Sequence, residues 1–141
     1  MALARWASPS SRVSLNASGV LAPSGTGISN GVESATVTYE NGTNRNLYGA
    51  VTIKLGSITP SSGGSISLRV TLSDGTDTAD KAAGDIYTAQ LLSGASAKVV
   101  IIPMVRIYPF SLRFSVINNS GVAFANSGND ILVTPYSEEV A

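Results

Sequence analysis

The sequence contains neither cysteine nor histidine. Without cysteine there are no disulfides and no thiolate metal sites, so packing and hydrogen bonds alone must hold the fold. Without histidine the usual serine–histidine–acid triad cannot form. These absences remove several common kinds of active site, and we expect a protein that is not an enzyme, with no catalytic, cofactor-binding or metal-binding residue.

Charged residues are also scarce. They make up 13% of the chain, against roughly 25% in an average soluble protein. Nine basic and nine acidic side chains balance one another, and no stretch gathers the Lys and Arg cluster that nucleic acids or anionic membranes require. We therefore expect neither of these partners. A weakly charged surface instead has a low desolvation cost when another protein covers it.

Long hydrophobic runs are missing as well. No segment approaches the roughly 18–20 apolar residues of a membrane-spanning helix. The first residues, MALARWASP, also lack the apolar run of a signal peptide. We expect a soluble protein that is not exported by the signal-peptide route.

What is present is a chain of 141 residues with 21 Ser, 11 Thr and 14 Gly. The length suits one domain of about 100–150 residues, and the composition suits strands and turns rather than long helices. Residues 1–33 contain Pro and Gly and only brief apolar patches, so we predict an extended N-terminal arm there, with a short strand at residues 12–16. Residues 34–141 are predicted to form the folded domain.

From residue 35 onward apolar and polar residues alternate, which is the period of half-buried strands. In residues 65–72, every second side chain from Ile66 to Leu72 is predicted to face inward. Many short strands separated by frequent turns predict an all-β, antiparallel sandwich or barrel. The predicted strands are residues 35–39, 51–55, 65–72, 86–92, 98–102, 111–118, 122–125 and 130–136.

The densest apolar region is residues 99–110. Its length and its loss of alternation predict that some of its side chains face a partner or a second sheet. Pro103 and Pro109 lie in this region and Pro135 lies beyond it. Since proline cannot donate to a central ladder, each predicts a strand end, a bulge or an edge.

Three arginines, Arg69, Arg106 and Arg113, lie in or beside apolar segments. A guanidinium in such a place usually needs a carboxylate or carbonyl partner. The partner can lie within the domain or across a contact between subunits, and the sequence leaves both alternatives open.

Residues 27–31, GISNG, match the G-x-S-x-G pattern of a nucleophile elbow, which needs a strand-to-helix turn and a histidine base. Because the chain has no histidine, we interpret this segment as a glycine-rich loop. Glycoside hydrolysis would instead need two acids held together. Glu33, Glu40, Asp85 and Asp130 are scattered along the sequence, and nothing in it pairs them.

Asp74, Asp77 and Asp80 form a cluster of carboxylates, the hard oxygen ligands that Ca²⁺ prefers. Their spacing of three differs from the alternate ligand positions of an EF-hand loop. We therefore interpret the segment as a solvated acidic loop.

The second half of the chain resembles the head cement or decoration proteins of tailed bacteriophages, which have a jelly-roll sandwich. The resemblance covers roughly residues 65–141 and lies in the general residue pattern and the order of the strands. It is carried by Ile102-Pro103-Met104, by residues 108–116 (YPFSLRFSV), by Asn118-Asn119-Ser120-Gly121 and by Val133-Thr134-Pro135-Tyr136.

The resemblance implies a single antiparallel, jelly-roll-like β-sandwich that sits on the exterior of a virion capsid. Such a protein is made in the host cytoplasm, binds the major capsid protein and is a homo-oligomer, with a trimer favoured. It stabilises the shell by clamping neighbouring subunits.

For the partner contact we predict Leu3, Trp6 and Val13, because exposed apolar side chains on a loose arm are available to bind a partner. The alternative is a tail-associated receptor- or carbohydrate-binding module, which a groove carrying Tyr39, Tyr48 or Tyr87 beside an Asp would favour.

Overall fold

A computed structural model describes residues 4–43, 45–74, 76–80 and 84–140. Within these ranges, no helix is long and apolar enough to cross a membrane. A four-residue helix α1 (Ser18–Leu21) and a single 3₁₀ turn (Pro23–Gly25) accompany the strands. The strands are β1 (Ala4–Trp6), β2 (Val13–Ser14), β3 (Val37–Glu40), β4 (Tyr48–Ile58), β5 (Ser65–Ser73), β6 (Asp85–Gln90), β7 (Ser96–Arg106), β8 (Ser111–Asn119), β9 (Asp130–Tyr136) and β10 (Glu138–Val140).

Eight of the strands form two four-stranded antiparallel sheets packed face to face. The first sheet has the order β2-β9-β4-β7 and the second the order β3-β8-β5-β6. Strands β1 and β10 form a separate two-stranded ribbon. The predicted all-β antiparallel sandwich is therefore confirmed.

The core lies between the sheets, where the alternating residues of the central strands meet. Val51, Ile53 and Leu55 of β4 are fully buried, as the period of two requires. On β5, the inward-facing residues from Ile66 to Val70 are buried, whereas Leu72 is partly exposed. The prediction for Leu72 is wrong because this residue lies at the end of β5, where the facing sheet no longer covers it.

The N-terminal segment packs along the sandwich for most of its length. Strand β2 pairs with β9, and Ala17, Leu21 and Ile28 are buried in the common core. The division of the chain at residue 33 stays a prediction. The described part of residues 1–33 nevertheless contributes to the core that the sheets enclose.

Residues 122–125 do not form the strand that their alternation predicts. The prediction is wrong because backbone and side-chain partners outside a ladder hold this segment as a loop. The Phe124 amide donates to the Ile28 carbonyl at 3.0 Å, and Asn118 Nδ2 donates to the Val122 carbonyl at 2.8 Å. The Phe124 side chain is thereby buried at the side of the core.

The three prolines lie where their missing N–H is tolerated. Pro103 occupies a β-bulge of the edge strand β7, since Pro103 and Met104 together lie opposite Ala50 of β4. Pro109 lies in the loop between β7 and β8, and Pro135 is the last residue but one of β9.

Candidate functional site

Of the three predicted anchors, Leu3 lies outside the described residues. Trp6 belongs to β1 of the ribbon and Val13 to β2 of the first sheet. Both are exposed, Trp6 at 53%. They do not form one site, because only Trp6 lines the groove described below.

Trp6 packs on a pair of tyrosines at one end of the first sheet. Tyr48 of β4 and Tyr136 of β9 are cross-strand neighbours, and their rings stack with centroids 5.6 Å apart. The Trp6 ring meets both edge to face, at 5.8 Å and 5.4 Å. Offset and edge-to-face aromatic pairs are the favoured arrangements. The ribbon is thereby held against the outer face of the first sheet.

The Tyr136 hydroxyl donates a hydrogen bond to the Pro103 carbonyl oxygen at 2.7 Å. This bond ties β9 to the bulge of β7 across the intervening strand β4. Burial, with a smaller effect from the nearby Tyr48, raises the pKa of Tyr136 above its ordinary value. The phenol therefore stays neutral and remains a donor at physiological pH.

Beside this cluster lies an apolar groove of about 480 Å³, which we call the outer groove. Its floor comes from β4, β7 and β9, and its wall comes from the N-terminal segment. None of the described residues that line it is charged. It is lined by Trp6, Ala7, Pro9, Ala50, Pro103, Met104, Thr134 and Tyr136.

The apolar surface continues along β7 beyond the groove. Val99 and Ile101 point away from the core and are exposed at 60% and 61%. Next to them, Val100 faces the core and is buried. The loss of alternation in residues 99–110 was therefore the sequence signal of an outward apolar face, although it did not indicate that Trp6 would join it.

The second sheet presents a polar outer face that is internally hydrogen-bonded. Glu33 accepts from Arg69 Nε at 2.8 Å and from Ser115 Oγ at 2.6 Å. Arg113 donates to Thr38 Oγ1 at 2.6 Å. The outer face of the first sheet thus carries the larger exposed apolar cluster, although Ile86 of β6 is exposed on the second sheet.

Arg69 has a predicted carboxylate partner, Glu33, within the domain. Arg113 instead donates to the Thr38 hydroxyl, and its buried Nε has no hydrogen-bond partner among the described residues. The guanidinium of Arg106 lies 5.6 Å from the centre of the Tyr108 ring, a cation–π geometry.

Three of the four scattered acids, Glu33, Glu40 and Asp130, have separate structural contacts. Glu40 accepts a hydrogen bond from Ser111 on the second sheet. Asp130, on the first sheet, accepts from Ser14 Oγ at 2.5 Å and from the Ala17 amide at 3.0 Å. These contacts hold the N-terminal segment and the edge of the second sheet, and they do not bring the carboxylates together.

Residues 27–31 form a loop, as interpreted from the sequence, and no helix follows it. In the acidic loop, one carboxylate oxygen of Asp74 accepts the amides of Thr76 and Asp77, both at 2.8 Å. These backbone hydrogen bonds lower the pKa of Asp74, and the contact is that of a turn-capping aspartate. Asp77 and Asp80 are exposed. Among the described residues, no three metal-ligating side chains converge.

No protein-family model matches the chain, and no curated protein or solved structure matches it either. The outer groove and the exposed apolar residues Val99 and Ile101 of β7 are therefore interpreted from their own chemistry.

Proposed function

We propose that this protein is a virion structural protein that binds the outer surface of a phage capsid and stabilises it by clamping neighbouring capsid subunits. The observation that supports this most is the exposed apolar face of the first sheet, from Trp6 across the outer groove to Val99 and Ile101. Large exposed apolar patches on soluble domains commonly mark protein-binding surfaces.

The proposal includes a jelly-roll architecture. Successive strands from β2 to β9 are distributed over two four-stranded sheets, in the orders β2-β9-β4-β7 and β3-β8-β5-β6. Eight strands in two packed antiparallel sheets, joined by crossing connections, are the basis of a jelly roll. This strand order supports the resemblance to decoration proteins.

In the proposed mechanism, an uncharged projection of a capsid subunit enters the outer groove and covers Trp6. Burying one large apolar side chain contributes roughly 1.5–3 kcal/mol, which alone is weak. A homo-oligomer, with a trimer favoured, presents several such faces at once, so that the contacts multiply. Binding to the assembled shell and not to free subunits then stabilises the shell by mass action.

The test compares Trp6→Ala with Ile86→Ala. The two residues have similar exposure, 53% and 52%, but Ile86 lies on the second sheet. Each variant is mixed with heads lacking this protein and sedimented. We expect Trp6→Ala to weaken binding at least about tenfold, since buried tryptophans are frequent binding hot spots, and Ile86→Ala to bind normally. Equal binding by the two variants would remove the outer groove from the mechanism.

Electron microscopy of native particles separates this function from that of a tail-associated receptor- or carbohydrate-binding module. A half-exposed Trp6 ring is a feature that such a module also uses. However, Tyr39 is buried, and no Asp is among the described residues that line the outer groove. Tyr87 is half-buried near Asp85, but it does not line that groove. If this protein is located on the shell, the capsid proposal is supported. If it is located on the tail alone, the proposal is contradicted.

A further inference from the structure

Lys98 is buried although it is a lysine. It lies on β7 directly opposite Leu55 of β4, so its side chain starts on the core-facing side of the first sheet. The residue is only 4% exposed. Lysine is almost never fully buried unless its charge is paired.

Among the described residues, the ammonium group of Lys98 has only neutral partners. Its Nζ donates to the Gly94 carbonyl at 2.6 Å and to Ser96 Oγ at 2.9 Å. An ammonium has three N–H donors. Ion pairs in the described part of the chain join Arg5 to Glu139 and Arg69 to Glu33, and none involves Lys98. A buried charge without a counter-ion is unfavourable.

The side chain borders a pocket of about 100 Å³, which we call the end pocket, lined by residues 90–92 and 96–100. Apart from Lys98, its walls include Leu91, Leu92 and Val99. Leu92 is exposed at 83%. The pocket thus combines a cation that has no counter-ion among the described residues with a lining that is apolar except for Gln90 and Ser96.

We propose that the end pocket binds a carboxylate carried on a short apolar group. The carboxylate accepts the remaining N–H of Lys98 and neutralises its charge, while the apolar group packs against Leu91 and Val99. Two sources share this chemistry, a free small carboxylate and the terminal carboxylate of a partner polypeptide. The end pocket shares no residue with the outer groove, although Val99 also belongs to the apolar face proposed to bind the capsid. The inference does not depend on the function proposed above.

The probe for the free source is 3-methylbutanoate, and its neutral control is 3-methylbutanamide. Binding is followed by amide chemical shifts of residues 93–97 in the wild-type chain, in Lys98→Met and in Lys54→Met. Lys54 is a matched control because it lies on β4 in the same sheet and does not line the pocket. Methionine keeps the length of the lysine stem without its charge.

We expect saturable shifts with the acid but not with the amide, in the wild type and in Lys54→Met. Lys98→Met should bind the acid at least about tenfold more weakly, because a hydrogen bond to a charged group is lost.

N-acetyl-alanyl-leucine, tested as the acid and as its C-terminal amide, distinguishes the free carboxylate from the polypeptide terminus. Tighter binding of this acid than of 3-methylbutanoate assigns the source to a polypeptide. No saturable response to either acid, or an equal response in Lys98→Met, overturns the proposal.

Discussion

At the scale of single residues, Glu33 shows how one partly buried carboxylate organises the polar outer face of the second sheet. It accepts from Arg69 on β5 and from Ser115 on β8, so it links the chain before β3 to two central strands. Its ion pair with Arg69 is mostly buried, whereas the pair between Arg5 and Glu139 in the ribbon is largely exposed.

This difference predicts unequal effects of removing each acid. Glu33→Ala should lower the free energy of unfolding by about 1–3 kcal/mol, because a mostly buried arginine loses its ion pair with this carboxylate. Glu139→Ala should cost about 0–1 kcal/mol, since exposed pairs are screened by solvent. Urea denaturation measures both values. Equal losses would show that burial of the pair does not govern its contribution.

Tyr39 predicts a loss of stability at alkaline pH. Burial raises the pKa of Tyr39 above its ordinary value of 10.0, so ionisation is harder in the folded than in the unfolded chain. The corresponding stability is complete below pH 10.0 and decreases as the pH rises from there through the raised pKa.

Tyr39→Phe should therefore lose less stability than the wild type between about pH 8 and about pH 11. The comparison is made from urea midpoints at both pH values. Tyr87 and Tyr136 also have pKa values raised by burial, so part of the alkaline loss should persist in the variant. An unchanged pH dependence would exclude Tyr39 as a source of it.

At the scale of elements, the long strand β4 passes under a loop at Gly56 with no room for a side chain. The Gly56 amide donates to Asn129 Oδ1 at 2.9 Å, which draws the loop onto the strand. A Cβ at this position would lie 2.7 Å from the Ala125 Cβ and inside van der Waals contact with the Ser127 carbonyl oxygen.

Gly56→Ala should consequently destabilise the fold by about 1–3 kcal/mol through overpacking. Gly19 in helix α1 is the matched control, because a Cβ there has no neighbour within 4 Å. Gly19→Ala should be neutral or stabilising by up to about 1 kcal/mol, since alanine reduces the freedom of the unfolded chain. Thermal and urea unfolding of both variants measure this contrast. Similar losses in the two would contradict the close approach at Gly56.

The central strands could be predicted from the sequence because alternation depends only on each strand having one buried face. Strands β4, β5, β8 and β9 follow this pattern. The pattern failed at residues 122–125, where Phe124 is buried by a loop and not by a sheet. It also could not indicate β1 and β10, since three-residue strands are too short to show a period.

The outer groove was beyond sequence-based prediction for a related reason. Its lining comes from four parts of the chain, with Trp6 and Tyr136 separated by most of the sequence. Residues 99–110 indicated an apolar surface, and Trp6 was predicted as an exposed anchor, but their common location depends on the pairing of β1 with β10. That pairing depends on tertiary contacts which no local pattern encodes.

At the scale of the whole molecule, the N-terminal segment has two parts with different bonds to the sandwich. Residues 4–7 belong to the ribbon and are held by β10, by the rings around Trp6 and by a bond from the Ala7 amide to the Ser137 carbonyl at 2.8 Å. Residues 13–16 pair with β9 and supply Ser14 to Asp130. Isolated two-stranded ribbons are marginally stable, so the first part should be separable from the fold and the second should not.

Deletion of residues 1–7 should therefore leave a single cooperative unfolding transition, with a loss of about 1–3 kcal/mol for the aromatic pairs and the ribbon. Deletion of residues 1–16 should cost several kcal/mol more or prevent folding, because β9 becomes an edge strand paired on one side only and Asp130 loses the hydrogen bond from the Ser14 hydroxyl. Thermal unfolding of both variants is followed by circular dichroism, because both deletions remove the only tryptophan and its fluorescence cannot report unfolding.

If both deletions behave alike, residues 13–16 do not stabilise the first sheet. If they differ as expected, the shorter deletion is the one that removes Trp6 from the outer groove while keeping the sandwich. A loss of head binding by that shorter variant is then attributable to the groove and not to unfolding.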